Sequence, residues 1–434
     1  MMQGNGLFVS ALAAMVIIAG LGLFLMDHDD EDIDPESYLQ GRLMVFGNAN
    51  NDDTIDEADL QMIEDIISSG HWDREKYPFA DTNNDGVVDD EDLHMITDMI
   101  DRVENMTVHY VNADLKVYSV DYPIRNIVVI STAVFDPIKE MGLQDRVFGR
   151  HGTSYPLDSI RHQFFIDLPP VSTASNNIDI TLLSNVAETV DGGIDAVVTR
   201  DKWLLLQEGQ LAAAGIPVVR MGFASDRTAI SAYLTLGYLM QAEERAGEVV
   251  GFIDDVYARV DAVVENKTME QRPSIISVAG YGDAIMSNVY EDAQWGIRAG
   301  GVNGISPSVL GTAHGKFIQS GDVWHLSSTY ECDHIVYTWM GNYLNSMEDY
   351  RNQFNGMSTH WGQHSNYPED VVILSINIPS CIATAYLAEH FWQEDFPPGF
   401  ASGLHQDYLD VFHGDLGIDV SDHVFFMTYD DYMT

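Results

Sequence analysis

Two twelve-residue segments of this 434-residue chain, Asn48–Asp59 and Asp81–Asp92, carry oxygen-bearing side chains at matching positions 33 residues apart. Asn48, Asn50, Asp52, Asp56 and Asp59 occupy positions 1, 3, 5, 9 and 12 of the first segment, and Asp81, Asn83, Asp85, Asp89 and Asp92 those of the second. A repeat in register at every such position dictates a loop that curls around one centre. A ring of hard oxygens at this spacing suits calcium, which takes six to eight of them at about 2.3–2.6 Å. Position 7, Thr54 or Val87, supplies a backbone carbonyl, so its side chain is free to vary. Position 8 is β-branched in both loops, Ile55 and Val88, where paired loops form a short β contact. Gly86 permits the sharp turn at position 6, whereas Asp53 stands there in the first loop and is expected to adopt a left-handed conformation under strain.

Each loop leads into an apolar-periodic stretch, Leu60-Gln-Met-Ile-Glu-Asp-Ile-Ile and Leu93-His-Met-Ile-Thr-Asp-Met-Ile, whose apolar residues share one helical face. The duplicated loop–helix unit, with Asp at position 12, resembles the dockerin domain over residues 42–104. The resemblance implies two Ca2+ sites and a cohesin partner met near positions 10 and 11, here Glu57-Ala58 and Asp90-Glu91. Many dockerins have small hydroxyl residues there. A module this small and this acidic is expected to fold only with calcium.

The formal net charge is −46, and 25 acidic against 4 basic side chains fall in the first 104 residues. That balance excludes a nucleic-acid binder, which needs a basic face, and adsorption to an anionic membrane surface. Leu7–Met26 is a run of twenty uncharged residues, long enough as a helix to cross a bilayer. No Lys or Arg precedes it, so a retained anchor (residues 1–26) is favoured over a cleaved signal. Residues 27–41 open with the acidic run Asp27–Asp32 and read as a solvated spacer. The expected location is the extracellular face of the membrane, with secretion if the segment is cleaved. Cys332 and Cys381 could bridge or remain free, and Asn105-Met-Thr107 and Asn266-Lys-Thr268 are glycosylation sequons.

From Asn126 the pattern becomes α/β. Short apolar runs at residues 126–131, 146–150, 196–199, 216–220, 274–279, 334–339 and 370–375 alternate with helical segments, which implies parallel sheets covered by helices. Between the two series, Val249, Val250, Ile253, Val256, Tyr257, Val260, Val263 and Val264 form one helical stripe. It predicts a single linking helix over about 226–266, with Asp226 as its cap and Gly247 as a weak point. The expected fold class is α/β: lobe one over about 126–225 and lobe two over about 273–434, joined by one long helix and preceded by a transmembrane helix and a small all-α calcium-loop module.

The segments RNIVVIS…FDPIKEMGLQDRVFGR, GGIDAVVTRDKW with LAAAGIPVVRM, and CIATAYLAEHFWQEDFPPGF, in that order, resemble the helical-backbone (class III) solute-binding proteins of ABC importers, the iron-siderophore, haem and vitamin B12 binders. The resemblance covers about residues 113–434. It implies binding without catalysis, in a cleft bordered by loops at the carboxyl ends of strands. Those loops hold Thr132, Arg150, His151, Tyr155, Arg200 and Trp203 in the first lobe, and Tyr281, Trp295, Arg298 and Trp339 in the second. Aromatic faces suit a flat macrocycle, and arginines suit carboxylate or phosphate groups on a chelated metal or corrinoid. The resemblance further implies an ABC permease partner met through one glutamate per lobe. Glu188 fits the first position, while the second-lobe stretch offers only Asp322 or His325.

Direct metal-ion binding by the many histidines is disfavoured, since no HxH or HExxH pair occurs, and Trp-Gly-Gln between His360 and His364 reads as a loop. Nucleophile elbows and P-loops are absent from the sequence, and Gly280-Tyr-Gly282 and Gly300-Gly301 lack dinucleotide-site context. A surface scaffold acting through dockerin–cohesin pairing is the alternative reading, and a polysaccharide hydrolase a lesser one.

Overall fold

Asp56 and Asp89, at position 9 of the two loops, each end a loop and begin a helix. Their carboxylates accept the backbone N–H groups of Ala58 and Glu91, both at 2.8 Å. Asp59 and Asp92 reach back to the cap N–H and complete a capping box in α1 (Glu57–Ser69) and α2 (Asp90–Ile100). Gly70, at φ 64°, closes α1. The two helices bury Ile63 and Ile66, and Ile96 and Met99. The computed structural model describes residues 38, 42–152, 158–174, 177–200, 205–223, 228–279, 284–285, 291–304, 316–317, 332–339, 341–361 and 371–434. The apolar run at 7–26 and the acidic run after it lie outside them. Among the described residues, no helix is long and apolar enough to cross a membrane.

The chain forms two compact units. The described part of the first contains α1 and α2 and continues, apart from Asp158–Arg161, to Val249. Its hairpin β1 (Met106–Val111) and β2 (Val117–Tyr122) pairs antiparallel, with alternate residues Val108 and Tyr110, and Val120 and Tyr122, buried. The approach to the first loop adds to this hairpin. Val45 bridges Tyr110, Phe46 N donates to His109 O (3.0 Å) and Val111 N to Met44 O (2.9 Å). Tyr38, Met44, Phe46, Phe79 and Val111 close a shared apolar cluster. The loops and their helices therefore belong to the first α/β unit and do not form a separate all-α module.

β3 (Ile127–Val129) leads through a 3-10 turn to α3 (Phe135–Glu140), then β4 (Val147–Arg150), α4 (Gln163–Ile166), β5 (Ser172–Ala174), β6 (Asn177–Ile178), α5 (Ile180–Ala187), β7 (Ala196–Arg200), α6 (Glu208–Ala213) and β8 (Val218–Met221). Among the described residues β4, β3, β7 and β8 make a four-stranded parallel sheet in that order. Its strands are apolar runs because helices cover them, with Val128, Leu183, Val197 and Leu211 in one core.

The linking segment is two helices, α7 (Ala229–Leu239) and α8 (Glu243–Val264), where one continuous helix over 226–266 was expected. The break lies at Met240–Ala242, with Gln241 left-handed (φ 53°). Asp226 lies outside the described residues. Gly247 sits inside α8, which runs through it unbroken, with open space around it. Gly237 is the residue the corner requires, because a Cβ there would stand 2.5 Å from Ala246 Cβ. Gly237→Ala is thus expected to lower stability by about 1–3 kcal/mol through overpacking, despite the better helix propensity of alanine. A thermal melt showing a gain would contradict the packing argument.

The second unit comprises Asp158–Arg161 and, after the start of α8, Val250–Thr434. It contains β9 (Ser274–Ala279), β10 (Ala284–Ile285), α9 (Glu291–Arg298), β11 (Val302–Asn303), β12 (Lys316–Phe317), β13 (His334–Trp339), α10 (Met347–Trp361), β14 (Val371–Ser375), α11 (Ser380–Phe391), α12 (Phe400–Phe412), β15 (Phe426–Thr428) and α13 (Tyr429–Met433). Strands β9, β13 and β14 are parallel neighbours and β15 adds antiparallel to β14. Ile276, Val278, Ile335, Ile373 and Met427 pack with Tyr350 and Phe354 of α10. His360 is helical, not in a loop as its neighbours suggested, and His364 lies outside the described residues. Cys332 and Cys381 form no disulfide.

Candidate functional site

The two loops are built alike but differ at their turns. In the second, Asp81 accepts Asp85 N (3.1 Å) and Gly86 N (2.8 Å), with Gly86 at φ 93°. In the first, Asn48 replaces the carboxylate and donates its Nδ2 to Leu43 O (2.7 Å) and Asp52 O (2.8 Å). Its buried Oδ1 has no hydrogen-bond partner. Asp53 is not among the left-handed residues, contrary to expectation, and pairs instead with Arg42 at 2.9 Å. A side chain makes positive φ costly, so this turn avoids what Gly86 accepts. Asn51 and Asn84, at position 4, are left-handed in both loops (φ 64° and 54°).

Asp59, Asp81 and Asp92 are buried. Burial, against the pull of backbone N–H groups, pushes Asp59 and Asp81 up to about 6, and raises Asp92 as well. Among the described residues no three His, Cys, Asp or Glu side chains gather closely enough to hold a metal by themselves. The set fits a hard cation only through its mixed oxygens: buried carboxylates, Asn48 Oδ1, Asn50, Asn83 and the carbonyls of Thr54 and Val87.

A second group lies at the carboxyl ends of adjacent strands in the first unit. Thr132 follows β3, Arg150 ends β4 and Arg200 ends β7. Arg150 Nε donates to Ile166 O (3.2 Å) and Nη1 to His151 O (2.9 Å), which holds its charge at the rim. His151 is buried, 5.9 Å from the Phe135 ring centroid, and burial lowers its pKa, so it stands neutral beneath the rim. Tyr155 and Trp203, and Tyr281 in the second lobe, lie outside the described residues, as do Asp322 and His325. Phe164 was not anticipated. Phe165 stacks on Phe135 at 4.3 Å, which turns its neighbour Phe164 out to 50% exposure, with Lys139 Nζ 5.3 Å from its ring centre. Two adjacent aromatics in one helical turn were the available signal, since both cannot face the same core.

In the second unit Trp339 does end β13, set edge-on to Tyr350 at 4.9 Å. Trp295 and Arg298 are not at such an end. A helix after a parallel strand runs back beside it, so the last turn of α9 returns to the amino end of β9, where Val302 pairs with Ser274. Trp295 is buried there, and Arg298 pairs with Asp261 (2.5 Å) over the Tyr257 ring (4.4 Å). Arg298→Ala is expected to cost about 1–2 kcal/mol of stability and leave ligand affinity unchanged, checked by urea denaturation beside a binding titration. The same topology fixes the position of Glu188. It is exposed, but it follows α5 at the amino end of the sheet, where Asn126 Nδ2 ties Asp191 O (3.0 Å) and Gly193 O (2.9 Å). That is the end opposite the rim.

A groove of about 500 Å³ runs along β15, walled by Tyr386, Gln406, Asp419, His423, Phe425 and Phe426. Its polar walls are bonded to one another: Asp419 holds Ser421 N (2.9 Å) and Gln406 holds Val420 N (2.8 Å).

No protein-family model and no curated protein matches this chain. Solved structures do. The TroA-like periplasmic binding protein FepB from Veillonella parvula aligns at TM-score 0.56 and 15% identity, over 74% of this chain and 99% of its own. The molybdate-bound periplasmic protein MolA of Haemophilus influenzae aligns at 0.54 and 10%, over 70% and 98%. CeuE of Helicobacter pylori, in a Ni-His complex, aligns at 0.51 and 14%, over 71% and 96%. The chain has the fold of the TroA-like periplasmic binding proteins.

Proposed function

We propose that this chain is a solute-binding protein that captures a chelated metal, a siderophore, haem or corrinoid, for an ABC importer, without catalysis of its own. The observation that carries the reading is the placing of Arg150 and Arg200 with Thr132 at the carboxyl ends of three adjacent strands, in a fold shared with ligand-capturing proteins. In open α/β sheets that end is where ligands bind. On a chain with 67 acidic and only 21 basic side chains, two arginines at one rim are a local attraction for an anionic chelate. MolA binds molybdate and CeuE a Ni-His complex, so an anion or a chelate suits the same end here. The protein works outside the cell, with residues 1–26 as its membrane anchor and the permease as its partner.

The loops take two calcium ions, the second loop more tightly because Asp81 and Gly86 replace Asn48 and Asp53. The test is fluorescence titration of the full chain with ferric siderophores, haemin and cyanocobalamin. One of them should bind at micromolar level or tighter and lose about tenfold in Arg200→Ala. Saturable binding of none would end the importer reading.

A second reading, a cohesin-binding scaffold, is favoured by one observation: Glu57, Ala58, Asp90 and Glu91 are all exposed at the starts of α1 and α2. Retention of the full chain on immobilised cohesin in calcium, with no chelate binding, would select it.

A further inference from the structure

The calcium-type loops and the helices and hairpin that follow them are stitched to the rest of the first unit on three sides. Met44–Phe46, just before Asn48, is bridged to the hairpin through Val45 and Tyr110, and Met44 N also donates to buried Thr235 Oγ1 of α7 (3.0 Å). Gly47 N donates to Phe79 O (2.8 Å), joining the entrances of both loops. The hairpin turn grips the outer strand of the parallel sheet. Asn112 Oδ1 accepts Arg220 N (2.5 Å), its Nδ2 donates to Val218 O (3.2 Å), and Ala113 N donates to Arg220 O (3.2 Å). On the third side, Arg102, just past α2, pairs with Glu243 (2.6 Å), the first residue of α8. It also lies 4.8 Å from the Tyr238 ring centre, and Tyr238 stacks on Tyr122 at 5.4 Å.

We infer that the partner docked by the paired loops is this chain's own first α/β unit, through an interface that calcium completes: occupancy of the loops and folding of the parallel sheet are one cooperative equilibrium. The inference rests on the calcium reading and goes beyond it. A module tethered for an outside partner would leave its loops uncoupled from the sheet. Here, fixing Asn48 and Asp81 around an ion fixes Met44–Gly47 and Phe79, then the hairpin, then the edge at Val218–Arg220, while α2 carries the same constraint to Glu243. Whatever binds only the folded state stabilises all that folds with it, and the coupling runs equally in both directions.

The experiment is hydrogen exchange of the full chain, in millimolar calcium and in chelator, beside calcium titration calorimetry. The amides of Ala113, Ile130 and Val197, which bond to Arg220, Val198 and Pro217, are expected to exchange about tenfold or more slowly with calcium. The melting midpoint should rise by about 5 °C or more. In the reverse direction, Arg102→Gln, at a half-exposed site, should weaken calcium binding several-fold. Calcium binding with protection confined to residues 48–101, and equal affinity in Arg102→Gln, overturns the inference and leaves the calcium reading intact. A titration with no heat of calcium binding overturns both.

Discussion

Glu208→Ala is expected to destabilise the first unit by about 3 kcal/mol, the scale for removing one partner of a buried ion pair. Arg220 is 5% exposed on β8, and both its terminal nitrogens bond the Glu208 carboxylate, at 2.8 and 2.6 Å. Burial by itself lowers the pKa of Arg220, but the bonds and charge of Glu208 outweigh it and the net shift is upward. Alanine at 208 leaves a guanidinium in the interior with its carboxylate gone. Glu208 is itself one-third exposed, so water screens part of the effect and places it at the low end of the range. Glu208→Gln keeps an acceptor and should cost about half as much. Urea unfolding followed by circular dichroism reads both, and a loss below about 0.5 kcal/mol in Glu208→Ala would show that the pair contributes nothing net.

The second large effect belongs to acid. His405 of α12 is fully buried, its ring edge-on to Phe425 at 4.3 Å and its Nδ1 3.3 Å from the Tyr386 hydroxyl, while Nε2 has no hydrogen-bond partner. Burial, aided by nearby His413, pushes its pKa down to about 3, and burial with His334 pushes His390 down to about 4, opposed by Asp431. Both folded values lie below the ordinary 6.5, so as pH falls the unfolded chain takes protons first. The contribution of these two histidines to stability is therefore intact above about pH 6.5 and drains away as pH falls toward 4. At 1.36 kcal/mol per pH unit, His405 alone is worth about 3 kcal/mol over that interval. Denaturant midpoints at pH 7 and pH 4.5 should converge in His405→Gln relative to the unaltered chain. An identical pH slope in the two would rule out the buried imidazole as the cause.

The strands were legible because buried parallel strands are short β-branched runs, and Ile127–Val129, Ala196–Arg200 and Val371–Ser375 read as little else. The paired loops that lead into α1 and α2 were legible because their register repeats. What was hidden has one cause: the deciding partner is far away in sequence. The corner at Gln241 is fixed by Gly237 against Ala246, inside an apolar stretch with no stripe to mark its end. Trp295 and Arg298 follow a strand as rim residues do, but only the return of α9 beside β9 shows which end of the sheet they reach. The hairpin Met106–Tyr122 alternates visibly, as in Val108-His109-Tyr110, and its pairing follows that pattern.

Tyr38, the first described residue, packs against Phe79 at 5.7 Å and Phe46 at 6.3 Å. Only residues 27–37 separate Tyr38 from the apolar run proposed as the anchor. Fully stretched, that leash spans about 40 Å. Were residues 1–26 kept as an anchor, the lobe would stay near the bilayer, and a permease in the same patch of membrane would meet it at an effective concentration near millimolar. Delivery would then need only weak mutual affinity, and lengthening residues 27–37 would be expected to slow uptake without touching ligand affinity.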